Sequence, residues 1–104
     1  VDLNIHLIKN VPATFIIRVQ GKSMTDVGIY DGDLLVVDKS LKPKNFSTVV
    51  ANVHDELVVK NFVKEKDEQF LTSGSKKIED KITINNDSEI FIWGVVTYVI
   101  HSVY

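Results

Sequence analysis

Two residues could do chemistry that their neighbours could not. Lys60 sits in the run Leu57-Val58-Val59-Lys60-Asn61-Phe62-Val63, between Val58 and Phe62 on one strand face, with Leu57, Val59 and Val63 on the other. A lysine held among such neighbours must shed water from its ammonium group. Desolvation disfavours the charged form, and a neutral amine is a competent general base near pH 7. The same residue also reads as an edge lysine whose charge blocks strand-to-strand aggregation. Because exposed lysines far outnumber buried ones, Lys60 alone leaves both readings open.

Ser23 is the second. It follows Gly21-Lys22 and precedes Met24, in a segment where a strand breaks into a turn. A nucleophilic serine needs an exposed position beside a base, and backbone N–H groups free to hold an oxyanion. Turns leave such amides unpaired, whereas a sheet ladder would consume them. Serine after glycine is also an ordinary turn pair, so this signal too is weak by itself.

Other nucleophile–base sets fare worse. His6, His54 and His101 invite a Ser–His–Asp triad, but His54 falls in a polar turn beside Asp55, and no Gly-x-Ser-x-Gly elbow is present. No two histidines share metal-ligand spacing, so no metal site is expected, and no cofactor motif was found. Asp31 and Asp33 flank Gly32 and read as turn residues.

The elements that must position Ser23 and Lys60 are strands. Phe15 to Gln20 alternates with period two and ends at Gly21. Asp31-Gly32 marks a turn before the buried strand Leu34 to Val37, and residues 39–47, with Pro43, read as a surface loop. Thr48 to Val53 and Leu57 to Val63 form the arms of a hairpin across His54-Asp55-Glu56. The charged run Lys64 to Glu68 reads as an exposed hairpin end. Phe70-Leu71-Thr72, Ile82-Thr83-Ile84 and the long stretch from Glu89 to Tyr104 complete the set. No amphipathic helix of three turns, repeat or low-complexity linker interrupts them, which predicts a mainly β chain.

Composition bounds the rest. The 104 residues suit a single domain over residues 1–104, and the hydrophobic (44%) and charged (25%) fractions are those of an ordinary globular protein. The lack of cysteine excludes disulfides, thiolate metal sites and a cysteine nucleophile, in keeping with a reducing cytoplasm. A net charge of −2 argues against direct nucleic-acid binding through phosphates. There is no apolar run long enough to cross a membrane and no secretory pattern. The chain starts at Val1 without Met, which reads as a processed product with sequence missing upstream.

Taken together, Gly21-Lys22-Ser23-Met24, Gly28-Ile29, Asp31-Gly32-Asp33 and a lysine 37 positions after the serine form a specific pattern. It resembles the Ser–Lys self-cleaving peptidase family shared by LexA, phage repressors and UmuD. Asp2-Leu3-Asn4, Leu7-Ile8, Pro12-Ala13-Thr14 and the closing Phe91-Ile92-Trp93-Gly94-Val95-Val96 are most similar to the UmuD branch, in its processed form. The likeness covers nearly the whole chain. One departure is Phe46-Ser47, where the family often has Gly-Asp, which puts the local turn in question.

The resemblance implies a compact fold of small coiled sheets, with residues 1–13 as the remnant of an N-terminal arm. It implies Ser23 as nucleophile, Lys60 as general base, and the Lys22 and Ser23 backbone amides as the oxyanion site. The substrate would be the protein's own arm, cut at a Cys-Gly or Ala-Gly bond within one chain or within a dimer. Neither dipeptide occurs here, as expected of a chain already cut. Implied partners are a RecA filament that stimulates cleavage and a UmuC-like error-prone polymerase subunit served by the processed form during SOS mutagenesis. The alternative is the C-terminal self-cleavage and dimerisation domain of a LexA-type repressor. A homodimer is expected on two grounds, the resemblance and the apolar character of both faces from Ile90 to Ile100.

Overall fold

A computed structural model describes residues 13–74, 77–85 and 89–103. Most of the expected arm, residues 1–12, lies outside the described residues, as does His6. Seven strands form: β1 (Thr14–Arg18), β2 (Leu34–Asp38), β3 (Thr48–Val53), β4 (Glu56–Glu65), β5 (Glu68–Ser73), β6 (Lys77–Ile84) and β7 (Ile90–Ile100). They join one antiparallel sheet in the order β1-β2-β7-β3-β4-β5-β6. The mainly β expectation holds, and the coiling resides in this single sheet. Its ladder shifts register between Val36 and Val37, between Val50 and Ala51, and between Leu71 and Ser73. Each such irregularity increases local twist, which lets the sheet wrap on itself.

Wrapping is what gives so small a sheet two interiors. Alternation sends Leu35, Val37 and Val50 to one face, where Val19, Met24 and Ile29 of the connection between β1 and β2 cover them. Val49, Ala51 and Val95 point the other way and meet Phe62 of β4, Leu71 of β5 and Ile90, with Ile82 and Ile84 of β6 packed against them. The connection carrying Ser23 is therefore a lid on the first interior, anchored by side chains that are almost fully buried. Burial of Met24 alone stabilises this lid by roughly 1.5–3 kcal/mol.

Strand β7 reaches its central position because of Gly94. A Cβ there would stand 2.6 Å from Val37 Cγ1 and 3.4 Å from the Asp38 carbonyl oxygen, so only glycine lets β7 lie this close to β2. The expected strand over Ile82–Ile84 begins earlier, at Lys77, because β5 offers it partners from Gln69 to Ser73. The charged run is the tip of the β4–β5 hairpin, where Lys66 and Asp67 make the turn and Glu65 pairs with Glu68. At Phe46 the questioned turn forms without glycine. Phe46 takes φ 69°, and the residue is 71% exposed. Its N–H donates to the Phe62 carbonyl (2.7 Å), and the Phe62 N–H donates to the Ser47 carbonyl (2.8 Å).

Candidate active site

The turn bearing Ser23 is built by the motif downstream of it. Asp31 accepts a hydrogen bond from the Gly21 N–H (2.8 Å), and Gly32 N–H donates to the Val19 carbonyl (2.9 Å). Asp33 accepts from the Tyr30 N–H (2.8 Å) and lies 2.6 Å from His101 Nδ1. The Tyr30 amide first, and then His101, hold the buried Asp33 carboxyl below its ordinary range. The two acidic turn residues thus stabilise the strand-to-turn break on which the serine sits. They are structural, as the sequence suggested.

After the serine, a single 3-10 turn (Thr25–Val27) folds back so that the Val27 and Ile29 N–H groups both donate to the Met24 carbonyl. Ser23 itself is exposed, and its hydroxyl holds no hydrogen bond to any described residue. Nor do the N–H groups of Lys22 and Ser23 have a partner among the described residues. Free amides beside a free hydroxyl are what an oxyanion site requires.

Lys60 comes from β4, where it pairs with Val49 of β3. Strand β5 pairs with β4 only over Asn61–Glu65, so the other edge of β4 is open from Leu57 to Lys60 among the described residues. Along that open edge runs a cleft of about 280 Å³. Its walls are Leu57–Lys60 on one side and Ile17–Gly21 on the other, with Ser23, Met24 and Val50 completing it. Ser23 and Lys60 therefore face one cavity, although they lie far apart in sequence. Lys60 is half-buried, open on the cleft side rather than sealed in the core.

One partner of Lys60 has no sequence signal of its own. Lys60 Nζ donates to Ser73 Oγ at 2.5 Å, and Ser73 is only 4% exposed. Beside it, the Gly74 N–H meets Met24 Sδ at 3.1 Å, and the Gly74 carbonyl accepts from Asn61 Nδ2 (3.2 Å) and Thr72 Oγ1 (3.3 Å). The Asp26 carboxylate occupies the space where a Gly74 side chain would stand. The end of β5 is thereby clasped to the serine turn on one side and to β4 on the other.

Neither of the described histidines lines this cleft. His54 lies in the β3–β4 turn and is exposed, and His101 pairs with Asp33 at the far end of β7. No cluster of potential metal ligands occurs among the described residues. No helix among them is long and apolar enough to cross a membrane.

Residues 1–97 match the model of the Peptidase S24-like family, and the chain belongs to that family. Protein MucA of Salmonella typhimurium is 38% identical over 99 residues, which are 93% of this chain and 67% of that protein. Protein ImpA of Shigella flexneri is 38% identical over 100 residues, 96% of this chain and 67% of ImpA. The LexA repressor of Psychromonas ingrahamii is more alike locally, 53% over 53 residues, but this covers 51% of the chain and 25% of the repressor. Likeness along nearly the whole chain places it with the UmuD-type members rather than the repressors.

Proposed function

We propose that the chain is the peptidase and pairing domain of a UmuD-type SOS mutagenesis protein. Cleavage of its own N-terminal arm would convert it into the accessory subunit of an error-prone translesion polymerase. The observation that carries the peptidase reading is the shared cleft of Ser23 and Lys60. Lys60 as neutral amine takes the Ser23 hydroxyl proton while Oγ attacks the scissile carbonyl. The Lys22 and Ser23 amides stabilise the oxyanion, and Lys60 then delivers its proton to the departing amine. Water, deprotonated by the same amine, releases the acyl group. The two extended walls support an extended peptide as occupant, because the open edge of β4 offers backbone groups to an added strand.

Ser23→Ala and Lys60→Ala should each abolish self-cleavage of the arm-bearing protein while leaving its circular dichroism unchanged. Full self-cleavage by the Lys60→Ala protein at neutral pH would exclude the lysine as base.

The remaining parts of the reading rest on the family. The substrate arm, stimulation by a RecA filament, a UmuC-like partner, a homodimer and a cytoplasmic setting are all expected of a UmuD-type protein. The repressor alternative is weaker, because the LexA likeness stops at about half of the chain. Sequence upstream of Val1 discriminates them: a short arm with a Cys-Gly or Ala-Gly bond supports the first, a helical DNA-binding domain the second.

A further inference from the structure

A general base must present its lone pair as well as lose its proton. A primary amine on a four-carbon stem rotates freely, and in solution its lone pair points at the nucleophile only a fraction of the time. Here one N–H of Lys60 is committed to Ser73 Oγ. Ser73 is buried, and its flank is fixed by Asn61, Thr72 and Met24 through Gly74. Met24 is also the neighbour of Ser23, so one short segment, Ser73-Gly74, touches the base and the turn of the nucleophile together.

We propose that Ser73 is a positioning residue for the peptidase, holding Lys60 so that its lone pair faces Ser23. This rests on the Ser23–Lys60 reading above. In the neutral amine, one N–H bonds to Ser73 Oγ and restricts rotation about Cε–Nζ, which leaves the lone pair for the serine proton. Once protonated, the ammonium keeps the same acceptor, so the charged state formed during attack is stabilised without rearrangement. A plain structural role for Ser73, satisfying a half-buried lysine, would affect folding stability and nothing in the reaction.

A fluorophosphonate probe separates these roles without needing the natural substrate. Ser23 Oγ would attack phosphorus, the P–F bond would break with loss of fluoride, and Lys60 would take the proton. Labelling rates are measured from pH 5 to 10 for the unaltered chain, Ser73→Ala, Ser73→Thr, Lys60→Ala and Ser23→Ala, with a melting curve for each. Ser73→Ala should label about tenfold more slowly at neutral pH. Its rate–pH profile is compared with that of the unaltered chain, because a purely structural role for Ser73 would leave the profile unchanged. Ser73→Thr, which keeps the hydroxyl, should restore both rate and profile. If Ser73→Ala labels at the unaltered rate with the same profile, the positioning role is overturned and the dyad stands. If Lys60→Ala labels as fast as the unaltered chain, or the unaltered chain takes no label at Ser23, the dyad fails and Ser73 falls with it.

Discussion

Single residues here do more to shape the serine turn than to fill the core. Asp33 is buried at 2% exposure yet ionised, because the Tyr30 N–H and the His101 ring both favour its carboxylate. Its carboxyl is held below the unfolded value of 3.8, so its contribution to stability is fully present above that pH. The contribution is lost as pH falls through the lower, folded-state value. The stability advantage of the natural chain over Asp33→Asn should therefore shrink as pH falls through the acid range below 3.8. Urea unfolding at a series of pH values measures it, and a gap that widens on acidification would contradict the assignment. Phe46 makes the opposite point. It adopts a left-handed conformation disfavoured for a bulky side chain, and the flanking hydrogen bonds of Phe62 and Ser47 hold it there.

At the scale of elements, the site depends on how closely strands approach. Gly94 brings β7 against Val37 of β2, a side chain with no exposed surface. Gly94→Ala would gain a little from a stiffer unfolded chain. The overlap with a fully buried, β-branched Val37 outweighs this, for a net loss of about 1–3 kcal/mol by the usual cost of overpacking. Chemical denaturation gives the value directly, and a neutral result would mean that β7 and β2 separate more easily than their register implies.

Elements also divide what the sequence revealed from what it concealed. Ser23 and Lys60 stand out as candidates because each lies inside a motif or an apolar run, and the hairpin of β3 and β4 followed from its short polar turn. Ser73 was not. It faces Lys60 only because the β4–β5 hairpin turns at Lys66 and Asp67, and that turn sits within a charged run lacking the Asn-Gly or Asp-Gly signal that locates a hairpin. Without the turn position, the partner of Lys60 across the hairpin could not be read. The Asp33–His101 pair joins residues 68 positions apart, and no local pattern announces such a contact.

For the whole molecule, several apolar side chains on one face of the sheet are exposed among the described residues. Five apolar residues share one side, Ile16, Val36 and Tyr98 in one row across β1, β2 and β7 and Leu34 and Ile100 in the next, where Arg18 also stands; Val36 at the centre is buried. Ile16 is 57% and Ile100 41% exposed, and none of these five belongs to either interior cluster. An apolar stripe of this kind supports the homodimer expected from the sequence. Ile16→Glu combined with Ile100→Glu should shift the chain from dimer to monomer in sedimentation while leaving its fold unchanged. If the variant remains dimeric, the pairing surface lies elsewhere.

The strand order has one further consequence, for the timing of synthesis. Ser23 belongs to the β1–β2 half of the sheet and Lys60 to the β3–β4 half, and β7 is the strand that joins them. A ribosome makes both halves before it makes β7. Until that strand leaves the exit tunnel and slots between β2 and β3, the two halves are joined only by contacts such as that of the Gly74 N–H with Met24 Sδ. On the peptidase reading proposed above, a nascent chain would therefore carry an unfinished site during translation of the strands that precede β7.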